Sequence, residues 1–221
     1  MPLILKSDDT VLFYGDSITD CGRDRASLAS LGDGYVKLLA DRLSRVFPGS
    51  RLRVLNQGVS GDRIYDLEAR LDRDVLAHRP SVVTVLIGVN DTWRRYDSNL
   101  PSPLPDFRRS YRAVLTRLVD QLGARLVLME PFLLPVPEGR RTWREDLDPK
   151  IAVVRELAAE FAADLIPLDT IFARAAEQAP ASSWLPDGVH PSPNGHALVA
   201  DAWLANAGLA AASQPSAVPA G

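Results

Sequence analysis

Three residues of this chain could together carry nucleophilic chemistry: Ser17, Asp187 and His190. Ser17 closes the stretch Thr10-Val-Leu-Phe-Tyr-Gly-Asp-Ser17, whose apolar run Val11–Tyr14 has the length of a buried strand and stops at Gly15. A serine just past the carboxyl end of such a strand stands where open α/β sheets bind ligands. It becomes a nucleophile if a histidine can take its proton. The plainer alternative is that Ser17 caps the helix that follows. His190 lies in Pro186-Asp-Gly-Val-His-Pro191, a Pro- and Gly-bounded turn. Such a turn can bring Asp187 back to one ring nitrogen and leave the other facing a serine. The other two histidines fit less well. His78, just before Arg79-Pro80, reads as a surface residue, and His196 falls inside a terminal helical pattern with no Cys or Glu at metal-ligand spacing.

Two more clusters could complete a site. Asn56-Gln-Gly-Val-Ser-Gly-Asp62 follows a second apolar run, and its glycines allow either a tight turn or a backbone N–H exposed as a donor. Ser60 within it resembles an esterase elbow serine, but Asp62 stands where that motif requires glycine. Gly88-Val-Asn-Asp91 follows a third run. There the Asn90 amide can donate to an oxyanion or make an Asx-turn. Trp93 and Trp184 offer flat faces to a ligand ring, with packing under loops as the alternative, and Asp16 beside Ser17 joins them as a substrate-binding candidate.

The elements that must position these residues form a βαβ series. Short apolar runs at Val11–Tyr14, Leu52–Leu55, Val82–Ile87, Leu126–Met129 and Leu165–Leu168 are bounded by Gly, Pro, Asn or Asp, as buried parallel strands are. Helical spacing occupies Tyr35–Phe47, Ile64–Leu76, Phe107–Leu122 and Ile151–Phe161. A last helix is predicted from Ser192-Pro193 through Leu204, with Ser as N-cap and Pro at the first helical position. This alternation predicts an α/β fold with a five-stranded parallel sheet between two helical layers. Trp93–Asp106 and Pro131–Asp148 are predicted as long connections that either touch substrate or vary freely at the surface.

The 221 residues suit one domain with a substantial core. A net charge of −3 with scattered arginines gives no basic stripe for nucleic acid. The single Cys21 and the absence of a leader-like N-terminus point to a cytoplasmic protein. No run approaches the roughly 18 apolar residues of a membrane span. No metal cluster, Walker loop or dinucleotide fingerprint is present, which gives no support to nucleotide or flavin binding.

Gly15-Asp-Ser-Ile-Thr19, Asn56 through Gly61, Gly88-Val-Asn-Asp91 and Asp187-Gly-Val-His190, in this order, resemble the SGNH (GDSL) hydrolases. Within them, Thr19-Asp-Cys-Gly-Arg23, Leu31-Gly-Asp-Gly-Tyr-Val36 and Asn90-Asp-Thr-Trp-Arg-Arg-Tyr-Asp97 are similar to the intracellular acetylxylan esterases. The resemblance implies a flavodoxin-like three-layer α/β/α hydrolase domain over residues 1–206, and the Ala, Ser, Pro and Gly composition of the chain end predicts a disordered tail over 207–221. It implies Ser17 as nucleophile, His190 as general base and then acid, and Asp187 as the group orienting His190. The oxyanion would be held by the N–H groups of Ser17 and Gly61 and the Asn90 side chain. It further implies a small acylated carbohydrate as substrate, no cofactor, and a homo-oligomer. Two rivals keep the fold: a lysophospholipase or thioesterase with a longer acyl pocket, and a sugar-binding module without turnover. Activity should rise with pH through about 6.5, because His190 must be neutral to act as base.

Overall fold

The computed structural model describes residues 3–209. Five parallel strands form one sheet in the order β2-β1-β3-β4-β5: β1 Thr10–Gly15, β2 Arg53–Gly58, β3 Val82–Leu86, β4 Arg125–Met129 and β5 Asp164–Ile166. Strand side chains alternate between faces. Val11 and Phe13 pack with α2 (Tyr35–Val46), α7 (Leu168–Gln178) and α9 (Pro193–Asn206) on one side. Leu12 and Tyr14 pack with α3 (Ile64–Asp74), α5 (Leu104–Leu122) and α6 (Arg144–Glu160) on the other. The three-layer α/β/α sandwich expected from the βαβ spacing is therefore present. The short helices α1 (Ser17–Asp20), α4 (Val89–Asp97) and α8 (Ala181–Trp184) sit at loop positions.

Local sequence explains most boundaries. In α2 the buried Tyr35, Val36, Leu39 and Leu43 recur at helical steps. At the start of α3 the Asp66 carboxylate accepts the Arg63 N–H at 2.8 Å, and the Ser192 hydroxyl accepts the Gly195 N–H at 3.1 Å to cap α9. The chain leaves α9 through Gly208 at φ 69°, and the Leu209 N–H bonds Leu204 O at 2.8 Å. Residues 207–209 thus belong to the fold. The rest of the tail expected over 207–221 lies outside the described residues.

Both long connections are shorter than their composition suggests. Val89–Asp97 is helical, and Pro103 and Pro105 do not extend the loop, because they open α5 where a missing N–H is harmless. Glu138–Trp143 winds as a 3₁₀ helix directly into α6, which starts at Arg144 and contains Pro149. Pro149 and the charged run before it hid this start. Helix α7 was hidden because strand β5 ends at Ile166, two residues earlier than its apolar run.

The register sets the strand ends level. Gly15 pairs with Gly58 on β2 and with Leu86 on β3, so the turns after these three strands begin side by side. Across the core, Trp203 of α9 is fully buried and donates its indole N–H to Thr84 Oγ1 at 3.0 Å. Thr84→Val keeps the shape and removes the acceptor. It is expected to cost about 1–3 kcal/mol, read as a lower urea midpoint at unchanged m.

Candidate active site

Asp16 and Ser17 divide the two roles that the sequence left open. Asp16 is the N-cap of α1: its Oδ1 accepts the Ile18 N–H at 3.0 Å. The Ser17 side chain is left out of the cap, and its Oγ lies 3.0 Å from His190 Nε2. His190 Nδ1 lies 2.7 Å from Asp187 Oδ2. The other Asp187 oxygen accepts the N–H groups of Val189 at 3.0 Å and of His190 at 2.7 Å. With the carboxylate taking the Nδ1 proton, the Nε2 lone pair faces the Ser17 hydroxyl.

These bonds also set the charges. Burial alone would raise the Asp187 carboxyl, but the ring and backbone hydrogen bonds outweigh it and hold the group well below the usual carboxylate range. The hydrogen bond to Asp187 raises His190 above its ordinary value of 6.5 against the opposing effect of burial. Asp16 pushes in the same direction and Arg140 opposes it. Asp16 itself is 1% exposed, and burial pushes its carboxyl up to about 7. In this structure it is a buried cap.

The donor groups come from the neighbouring turns. Ser17 is the first residue of α1, so its N–H has no acceptor within the helix. Gly61 sits at φ 90°, a conformation that needs glycine, and is exposed. Asn90, 3% exposed at the start of α4, donates one amide hydrogen to Asp62 O at 3.0 Å. Its second amide hydrogen is available to a ligand oxygen. Asp91 joins the same elements, since its Oδ2 accepts the Ile64 N–H at 3.1 Å and its Oδ1 the Ser102 hydroxyl at 2.9 Å. Burial pushes the Asp91 carboxyl up to about 7. Ser60 is not a nucleophile here: its N–H and hydroxyl both donate to Asp20 Oδ2, at 2.9 and 3.0 Å, tying the Gly61 turn to α1.

Arg70 of α3 is the residue that sequence reasoning missed beneath this site. Its guanidinium donates to Gly15 O at 3.0 Å, Gln57 O at 2.9 Å, Asp62 Oδ2 at 2.6 Å and Asp74 Oδ2 at 2.9 Å, and lies 4.4 Å from the centre of the Tyr14 ring. One side chain thereby holds the ends of β1 and β2 and the Gly61–Asp62 turn together.

The two tryptophans separate. The Trp93 ring lies 5.7 Å from the His190 ring, so it belongs to the site. Trp184 does not join it: its indole N–H donates to Ala175 O at 3.1 Å and its ring packs against the core. Trp143, 5.4 Å from Trp93, and Arg140, 4.3 Å over it, arrive instead from the Glu138–Trp143 segment. His196 Nδ1 accepts the Tyr35 N–H at 3.2 Å, and burial pushes its pKa down to about 4. His78 lies beside Gln57 at 3.4 Å. Among the described residues no group of three or more His, Cys, Asp or Glu is placed to hold a metal ion, and no helix is long and apolar enough to cross a membrane.

Comparison with known proteins agrees with this arrangement. The model of the GDSL-like lipase/acylhydrolase family matches residues 13–198. The chain is 35% identical to an acetylxylan esterase of Geobacillus stearothermophilus over 92% of this chain and 95% of that protein. It is 30% identical to the thioesterase 1/protease 1/lysophospholipase L1 of Escherichia coli over 89% of this chain and 82% of that protein. Among solved structures, a GDSL-like lipase from Parabacteroides merdae superposes with TM-score 0.90 at 35% identity, covering 95% of this chain and all of that one. The Geobacillus acetylxylan esterase Axe2 superposes with TM-score 0.83 at 32% identity, covering 94% and 97% of the two chains. Axe2 structures described as catalytic mutants replace a serine, an aspartate or a histidine by alanine. The chain therefore belongs to the GDSL-like lipase/acylhydrolase family.

Proposed function

We propose that this protein is a serine esterase that removes acetyl groups from small acylated carbohydrates such as acetylated xylo-oligosaccharides. The observation that carries the reading is the Ser17–His190–Asp187 relay at 3.0 and 2.7 Å, in a chain 35% identical to an acetylxylan esterase. Ser17 Oγ attacks the acetyl carbonyl carbon while His190 Nε2 takes its proton, and Asp187 stabilises the imidazolium that forms. The N–H groups of Ser17 and Gly61 and the free Asn90 amide hydrogen hold the oxyanion. As the intermediate collapses, His190 returns the proton to the sugar oxygen and leaves an acetyl-enzyme. A water molecule, deprotonated by His190, then releases acetate and restores Ser17. The reading needs no cofactor and no nucleic-acid or membrane partner. The single cysteine supports a cytoplasmic location. The homo-oligomer implied by the sequence resemblance belongs to the same proposal and is read from the mass in solution.

Hydrolysis of p-nitrophenyl acetate and p-nitrophenyl octanoate, with Ser17→Ala as control, tests the reading directly. Acetate preferred, and its turnover abolished in Ser17→Ala, is the expected result. Octanoate preferred would favour the longer-chain chemistry of the Escherichia coli relative, and no Ser17-dependent turnover would leave a binding module.

Asn90→Ala is expected to lower kcat by about 100- to 1,000-fold with little change in KM. The pH profile has a defined sign. His190 is raised above 6.5, so the protonated, inactive form persists to higher pH and the acid limb of kcat/KM falls above 6.5. Asp187→Asn removes the main cause of that rise and should bring the limb down while slowing turnover, measured in the same buffers.

A further inference from the structure

Beside the relay lies a stack that neither the fold nor the chemistry above requires. Arg140 projects from the Glu138–Trp143 segment, with its guanidinium 4.3 Å from the centre of the Trp93 ring and 4.7 Å from that of Trp143. The Tyr96 ring stacks on Trp143 at 5.2 Å and 10°. Tyr96 is tied to the start of α6 through Glu145 at 3.0 Å, and Arg95 reinforces this by pairing with Glu145 and Asp146. The stack runs Tyr96, Trp143, Arg140, Trp93, and ends against His190. From within it, Arg140 Nη1 donates to the main-chain carbonyl of Asp187. The chain ahead of this segment holds that turn a second time, since the Leu134 N–H bonds Gly188 O at 2.9 Å.

We propose that Arg140 is a positioning residue for the reaction, clamped by Trp93 and Trp143 so that it fixes the Asp187–His190 turn and places a permanent positive charge beside the imidazole. The inference rests on the esterase reading. It assigns Trp93 and Trp143 the work of holding Arg140, because the guanidinium already lies against both rings. A planar guanidinium suits this place better than an ammonium. It stacks on aromatic faces and still directs an N–H along its edge to a carbonyl. Misplacing a catalytic base by a fraction of an ångström weakens proton transfer steeply, which gives the clamp its kinetic effect.

The charge has an electrostatic consequence of known sign. The charged groups that face His190 are Asp187 from its own turn, Asp16 from the cap of α1 and Arg140, with His196 of α9 also within its field. The two carboxylates favour the imidazolium and Arg140 disfavours it. Arg140 thus keeps more of the resting His190 neutral and ready to accept the Ser17 proton. It also makes the imidazolium a better acid toward the leaving sugar oxygen.

R140K and R140M, with W143A as a third variant that leaves the arginine in place, test this. Two readouts are used: kcat on p-nitrophenyl acetate from about pH 5 to 9, and the titration midpoint of the His190 Cε1–H proton by NMR. The NMR midpoint needs no substrate. Failure of the esterase reading shows as absence of Ser17-dependent turnover, whereas failure of the Arg140 proposal shows in the midpoint. R140K should keep the parent midpoint and lose about 10-fold in kcat, because the charge remains and the fork is lost. R140M should move the midpoint upward and lose about 10- to 100-fold. W143A should lose kcat as R140K does. An unshifted midpoint in R140M overturns the proposal whatever happens to kcat. So does a shifted midpoint with kcat within about twofold of the parent, which would leave a charge effect without positioning.

Discussion

Helix α1 lies so close over the ends of β1 and β2 that no side chain fits beneath it. A Cβ at Gly58 would stand 2.1 Å from the Asp20 nitrogen, and one at Gly15 would stand 2.4 Å from Leu86 O and 2.5 Å from the Thr19 hydroxyl. These are contacts that backbone cannot relieve without moving the strand or the helix. This close approach puts Ser17 at the sheet edge, on a helix of four residues rather than on a free loop. Everything else at the site is arranged around it. Asp20, at the end of that helix, receives both donors of Ser60 and so anchors the Gly61 turn. Arg70 binds the last carbonyls before the same turns. A glycine is the only residue compatible with either packed position, and in both cases proximity of backbone, not backbone freedom, is the reason.

The carboxylates around this helix meet opposite fates for identifiable reasons. Asp187 is a half-buried acid that accepts three hydrogen bonds, and these overcome its desolvation. Asp16 is wholly buried with one such bond and rises toward neutrality. The second Asp16 oxygen has no hydrogen-bond partner among the described residues, which leaves its desolvation uncompensated. The folded-state shifts of Asp187 and His190 also stabilise the fold in opposite pH ranges. Asp187 is depressed, so its contribution is present above its unfolded value and disappears in strong acid. His190 is raised, so its contribution is present in mild acid and disappears as pH climbs through its folded value. The pair therefore holds the turn most firmly where His190 is charged, whereas the proposed chemistry needs His190 neutral. A turn that relies on this ion pair would loosen in the working form. The carbonyl contact from Arg140 and the Leu134–Gly188 bond do not titrate with His190 and retain the turn in both forms.

The sheet, the helices α2, α3, α5 and α9 and the relay were legible in the sequence because each shows in a local apolar pattern or in a turn adjacent in the chain to a strand end. Gly15-Asp16-Ser17, the Gly61 turn, Asn90 and Asp187–His190 each declare a turn and a reactive group within a few positions. What failed to show were contacts across the fold. Arg70 sits on an amphipathic helix and reads as surface charge, yet its side chain is 9% exposed. Trp184 stands three residues before Asp187 in sequence, but the intervening turn sends its ring back onto α7 through Ala175. Trp143 and Arg140 lie in a stretch that reads as a charged loop, and nothing local reveals that Trp93 will meet them. Pro149 has the same origin: a breaker by composition, it sits inside a helix whose buried Leu147, Lys150 and Ile151 are held by tertiary packing.

The division between shared chemistry and private specificity follows from the same geometry. Relatives of this chain are named for acetylxylan and for thioester and lysophospholipid substrates, so the relay and the proposed oxyanion donors cannot by themselves choose the acyl group or the alcohol. Those donors sit on α1, the Gly61 turn and the first turn of α4, all fixed by the sheet. The remaining approach to His190 is built from the later residues of α4 and from the Glu138–Trp143 segment, which touch each other through aromatic and ion-pair contacts at their surfaces. In the proposed reaction His190 hands its proton to the leaving alcohol, so whatever stands against His190 would also stand beside that alcohol. Changes in length or side chain along the later part of α4 and the Glu138–Trp143 segment therefore alter what stands against His190, while Ser17 keeps its place on α1.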